Sequence, residues 1–158
     1  GISNMFLDSL KENIEKLKIK IILGPIAEKS KKVLEFSKKY KKNIEFIQET
    51  KNMYKEIVNS KFGFTTGGVT TYEFASMKVP FAIICDDKHQ IPTAKEWSRK
   101  KIAINLGYLN DNTPQKIEQI ISSICEKKDF KFSKNKFVDG KGAKRVSSEI
   151  LKLKKNIN

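Results

Sequence analysis

Apolar residues recur along this chain in two alternating rhythms, one of three to four residues and one of short unbroken runs. Over 4–17, Phe6, Leu7, Leu10, Ile14 and Leu17 fall on one helical face, so the spacing predicts an amphipathic helix. The run 18–23 predicts a strand that stops at Gly24-Pro25, where the chain must turn. A helix is expected over 28–40 with Val33, Leu34 and Phe36 inward, then a strand over 44–48 and a short helix over 53–59. A strand over 61–65, a helix over 69–78 and a strand over 81–85 follow. Pro92 opens a helix to about residue 100, 102–106 forms a fifth strand, and Pro114 at a first helical position opens a helix to about 127. An irregular Lys- and Phe-rich connection over 130–136 leads to a last helix over 142–153.

Strands separated by helices of this length imply right-handed crossovers and a parallel sheet covered on both faces. The expected fold is therefore α/β, a Rossmann-like parallel sheet with helices on both faces. No repeat and no long linker divides the 158 residues, which suit one domain. Ligands in such sheets sit outside the carboxyl ends of the strands, near the point where strand order reverses.

The segment FGFTTGGVTTYEFASMKVPFAIICDDKHQ, residues 62–90, places candidate chemistry at that edge. Gly67-Gly68 ends a β-prone run and delivers the chain to a helix, where paired glycines allow positive φ and close approach of the backbone to a ligand. The first N–H groups of a helix lack partners and, with the positive end of the helix dipole, favour a diphosphate. Thr70 and Thr71 add hydroxyls in the same turn. Glu73 has two readings: it closes a T-x-x-E capping box with Thr70, or it accepts two vicinal hydroxyls such as those of a ribose. His89, beside two acids in a loop, reads on its own as a surface residue.

Composition changes the picture in two ways. A net charge of +14 raises nucleic acid as a partner, yet all of the 32 basic residues except Arg99 and Arg145 are Lys. They are spread along every helix, without the Arg fork that reads phosphate and bases or interleaved aromatics for stacking, so a solvated Lys-rich surface is the simpler reading. Cys85 and Cys125 offer neither metal spacing nor a disulfide framework, and no run reaches the length of a membrane span. A soluble, cytoplasmic protein with no metal or cofactor is expected.

TTGGVTTYEFASMKVP, the DDKHQ loop, INLG at 104–107 and VDGKGAKRV at 138–146 together resemble the C-terminal, nucleotide-binding half of GT-B proteins. The similarity extends to the UDP-sugar hydrolase of pseudaminic acid biosynthesis and to spore coat polysaccharide biosynthesis proteins. The resemblance implies that Gly67, Gly68, Thr70 and Thr71 face the diphosphate of a UDP-sugar and that Glu73 holds the ribose. It places Gly24, Pro25, His89 and Gln90 near the nucleotide or sugar, His89 standing where the family has Asn. It also implies the UDP-sugar-binding half of a hydrolase that cleaves a UDP-linked acetamido sugar in surface polysaccharide or nonulosonic acid biosynthesis, with the donor-binding domain of a glycosyltransferase like the peptidoglycan N-acetylglucosaminyl transferase as the alternative; apart from the resemblance, the basic charge leaves a nucleic-acid-binding module as a reading of another class. GISN resembles the end of the segment that begins this half, so a leading strand and the catalytic N-terminal domain are expected outside this chain. The isolated half would be inactive and open to dimerisation through an exposed sheet edge. The Asp139-Gly140-Lys141-Gly142 turn reads as a flexible approach to the last helix.

Overall fold

A computed structural model describes residues 2–130, 132–133 and 138–155. Residue 1 of the GISN segment and residues 131 and 134–136 of the expected connection lie outside the described residues. Helix α1, Ile2–Leu10, tightens into a 3-10 stretch over Lys11–Lys16 and so ends earlier than its apolar spacing implies. Strand β1, Ile19–Leu23, helix α2, Lys31–Lys39, and strand β2, Ile44–Gln48, follow. Next come α3, Met53–Val58, β3, Gly63–Thr65, α4, Thr70–Met77, and β4, Phe81–Cys85. The remainder is α5, Ile91–Arg99, β5, Ile104–Tyr108, α6, Thr113–Cys125, and α7, Gly142–Lys155.

Every strand pairing among the described residues is parallel, as the helical crossovers demand: β1 with β2, β3 with β4, and β4 with β5. The α/β, Rossmann-like expectation holds, but the strands form a pair and a triplet in place of one continuous sheet. Helices cover both faces. On one, Leu7, Leu10 and Ile14 of the first helical segment join Val33 of α2 and Ile117, Ile120 and Ile121 of α6 over Ile44, Ala82, Ile84 and Leu106. On the other, Ile57 of α3, Phe74 and Ala75 of α4, and Ala94 and Trp97 of α5 bury Phe81, Ile83 and Cys85. Strand β4 alternates between the two clusters and is buried at every position, the pattern of a strand covered on both faces.

Helix α2 begins later than its sequence implies because Ser30 caps it, its hydroxyl accepting from the Val33 amide at 3.2 Å. That phase turns Val33 inward and leaves Leu34 exposed, a correction to the expected core. Strand β5 also starts two residues late. Ile102 belongs to the end of α5: its amide donates to Trp97 O at 2.9 Å while Lys101 takes a left-handed φ of 54°. This 6→1 closure is a Schellman motif, which draws Ile102 under the helix.

Candidate functional site

The turn between β3 and α4 is held by packing from two directions. A Cβ on Gly63 would lie 2.2 Å from Phe74 Cζ, so only glycine lets α4 settle this closely onto β3. A Cβ on Gly67 would lie 2.5 Å from Gln90 Cβ. Gln90 is buried, and its Oε1 accepts from the Gly67 amide at 3.1 Å and the Asp86 amide at 3.2 Å. Its Nε2 donates to Asp86 Oδ1 at 2.7 Å. One side chain thus ties the end of β3 to the end of β4. Neither Gly67 nor Gly68 takes a positive φ, so the expected left-handed turn is replaced by a close approach to Gln90 at Gly67 and open space at Gly68.

Thr71 lies inside the protein, fully buried, its hydroxyl donating to Gly68 O at 2.8 Å and accepting from Trp97 Nε1 at 3.2 Å. Burial and these bonds direct it away from solvent, against the expectation that it faces a diphosphate. The capping box does not form either: Val69 occupies the cap position with helical φ and ψ, no side chain caps the helix, and Thr70 is its first residue. With no cap, the amides of Gly68, Val69 and Thr70 have no acceptor among the described residues. Gly68 and Val69 are exposed and Thr70 half-buried. Glu73, one turn on, is half-buried, and its carboxylate has no hydrogen bond or ion pair among the described residues. Three free donors and a free acceptor therefore share one end of α4.

The loop after β4 presents His89 on the surface. Asp87 Oδ1 accepts from the His89 amide at 3.0 Å and lies 2.7 Å from His89 Nδ1, and these contacts hold the Asp87 carboxyl below its usual range. Gly24 and Pro25 are exposed beyond β1, where Gln48 Nε2 donates to Gly24 O at 2.7 Å and Ala27 O at 3.1 Å. No hydrogen bond or ion pair among the described residues joins this loop to the α4 corner. Arg145 is engaged: its Nη1 donates to Asp139 Oδ2 at 2.7 Å and holds that carboxyl at about 2, and the Lys141 amide also donates to Asp139. Asp139 thereby shapes the approach to α7. Among the described residues, no group of three or more His, Cys, Asp or Glu side chains could hold a metal ion.

Neither the Gln90 clamp nor the open amide of Val69 is visible in the sequence. A Gln a few residues after a strand carries no signal until its burial is known, and Val69 contributes backbone alone.

A family model described as the glycosyltransferase family 28 C-terminal domain matches residues 2–150. The chain belongs to this family. The match takes in every element from α1 to most of α7, and with the parallel α/β architecture it bears out the C-terminal domain of a GT-B glycosyltransferase. It carries the transferase alternative and nothing specific to the pseudaminic acid hydrolase or to spore coat proteins. No curated protein and no solved structure matches the chain. No described helix of this family 28 domain is long and apolar enough to cross a membrane.

Proposed function

We propose that this family 28 domain binds the nucleotide diphosphate of a UDP-sugar donor for a glycosyltransferase, at the N-terminus of α4. The observation that carries the reading is the uncapped corner itself, where the amides of Gly68, Val69 and Thr70 and, one turn on, the Glu73 carboxylate have no partner among the described residues. Diphosphate oxygens accept from the amides and gain from the positive end of the helix dipole. The Thr70 hydroxyl adds a donor. Gly67 and Thr71 act by shape, the first seating Gln90 and the second anchoring Gly68 to Trp97.

Glu73 accepts from both ribose hydroxyls, which gives an acid a use beside phosphates. Gly24 and Pro25 offer backbone to the base, His89 borders the sugar, and Gln90 acts on the site from beneath through its clamp. As the bond from the anomeric carbon to the diphosphate breaks, negative charge grows on the leaving group, and donors already fixed in place stabilise it without reorganising. The attacking hydroxyl comes from an acceptor held by a companion domain. The hydrolase expected from the motif resemblance needs the same donor site and differs in using water; the matched family favours the transferase.

Trp97, the one tryptophan of the chain, is buried against Tyr72 and Thr71 of α4 and so reports on this corner. Its fluorescence is titrated with UDP, CMP, GDP and UDP-N-acetylglucosamine. A saturable response selective for uridine nucleotides, without sugar release by the domain alone, is expected. Equal responses to all four, or none at millimolar ligand, would refute the proposal.

A further inference from the structure

The lysines that the sequence scatters are gathered by the fold. In a parallel sheet all strands start at one edge, so every link from a helix to the next strand arrives there. Five such links, each taken from the last residue of its helix, are 16–18, 39–43, 58–62, 77–80 and 99–103. Together they hold nine Lys and one Arg and no acid. All ten are exposed except Lys100, which is half-buried. The links at the opposite edge, each taken to the first residue of the next helix, are 24–31, 49–53, 66–70, 86–91 and 109–113, and they hold four Lys against five Asp or Glu. One edge is strongly positive, and the other, which bears the head of α4, is close to neutral.

Contacts join the strand starts of both sheets into one edge. Lys18 Nζ, before β1, donates to Lys42 O, before β2. Lys20 Nζ on β1 donates at 2.7 Å to Glu56 near the end of α3, the helix that leads into β3. Past α6 the chain runs along the same edge: the ring of Phe130 lies 5.0 Å from that of Phe62, just before β3, and the Ser133 amide donates at 2.7 Å to Lys101 O, just before β5.

Two simpler uses of the charge fall short. Lysine in the last turn of a helix complements the helix dipole, but Lys18, Lys41, Lys42 and Lys61 lie past the helix ends, where that effect has faded. A nucleotide at the head of α4 would sit at the other edge. Glu96 offsets part of the charge through Arg99 and Lys100, which leaves the excess around the starts of β1, β2 and β3.

We infer that this basic edge docks the chain onto an anionic phospholipid surface, with the head of α4 turned away from it. Lysine is a hydrated point charge that acts through its field, and clusters of it are drawn to anionic headgroups without fixed geometry. Nucleic acid is read by the Arg fork and by presented aromatic faces. Here Arg99 is the single Arg and is engaged by Glu96, while the half-buried rings of Phe62, Phe130 and Phe132 pack on one another. The charges spread across the starts of five strands, a breadth that suits a flat lipid surface. The inference is independent of the nucleotide reading.

Flotation is measured with vesicles of phosphatidylcholine alone and with vesicles in which about a third of the lipid is phosphatidylglycerol. The chain is expected on the anionic vesicles alone, and less of it as salt screens the contact. Lys41→Gln, Lys42→Gln and Lys61→Gln together should lower vesicle affinity at least about tenfold, each lysine at such a surface being worth about fivefold. The same charge removed at the opposite edge, by Lys29→Gln, Lys31→Gln and Lys51→Gln, should cost less than about twofold. Lys41→Arg, Lys42→Arg and Lys61→Arg together should bind as the parent does, which separates lost charge from lost folding. Equal losses from the two neutralised triples, equal binding to phosphatidylcholine alone, no binding to either vesicle, or tighter binding to duplex DNA than to anionic vesicles at matched salt would each overturn the inference.

Discussion

Two adjacent glycines at the head of α4 have opposite reasons to be glycine, and substitution separates them. At Gly67 a methyl would sit 2.5 Å from Gln90 Cβ, within the clamp between β3 and β4. Gly67→Ala should therefore cost about 1–3 kcal/mol in urea unfolding, the usual range for overpacking a tight contact. At Gly68 the nearest atom to an added methyl would be Thr66 Oγ1 at 4.0 Å. Gly68→Ala should leave stability within about 0.5 kcal/mol while weakening UDP, because at the proposed site the methyl stands in the path of phosphate to the amides. Glu73→Ala removes a carboxylate with no partner among the described residues, so the melting temperature should hold. UDP affinity by calorimetry should fall about tenfold or more, the worth of a charged hydrogen-bond acceptor. Unchanged affinity would remove Glu73 from the site. The segment 62–90 is legible as a strand–turn–helix unit from Gly67-Gly68 and the flanking apolar runs. What it withholds is the inward turn of Thr71, which depends on Trp97, far along the chain on α5.

Helix ends are the hardest elements to read, and lysine is the reason. Three helices close with the Schellman pair of hydrogen bonds: Lys78 and Val79 donate back to Ala75 and Phe74, Lys101 and Ile102 to Ser98 and Trp97, and Lys127 and Lys128 to Ile124 and Ser123. In each the left-handed residue is Lys, with φ of 58°, 54° and 55°. Glycine is the usual occupant of that position and the usual sign of a helix stop. Without it, Ile102 reads as the first residue of a strand, although it is the apolar residue that follows the stop. A left-handed Lys costs more than glycine does, so Lys101→Gly should raise stability by about 0.5–1 kcal/mol, with the same sign for Lys78→Gly and Lys127→Gly. Thermal unfolding checks this; a fall at all three would mean the lysine side chains support the helix ends. Helix and strand order along the chain, by contrast, is plain from periodicity, because each face of the fold demands its own apolar stripe. The division into two sheets is not, since pairing partners leave no trace in a single strand.

Charge acts on the molecule as a whole. The net charge of +14 attracts an anionic nucleotide, and added salt should weaken UDP binding modestly, whereas a nucleic-acid module would lose affinity steeply. The acids whose carboxyls are lowered on folding set the response to acid. Glu96 accepts from Arg99 Nη2 at 2.8 Å and lies 3.1 Å from Lys100 Nζ, and these bonds bring its carboxyl from the ordinary 4.5 down to about 2. A carboxyl lowered on folding adds stability that is complete above its unfolded value and lost as pH falls through the folded one. The loss should therefore fall between pH 4.5 and about 2, where Asp139, also held at about 2 by Arg145, adds to it. Urea midpoints for Glu96→Gln across that window should show a flatter decline than those of the parent. Both pairs are on the surface, so salt at about 0.5 M should flatten the parent's decline as well.

The burial of β4 has one more outcome. Cys85 ends that strand with no exposed surface, whereas Cys125, at the end of α6, is half-buried. A thiol-specific reagent meets the second sulfur through small fraying motions, yet reaches the first only when α4 and α5 lift from the sheet. Labelling kinetics thus turn one chain into a pair of clocks, and a nucleotide seated on α4 should slow the slower of them.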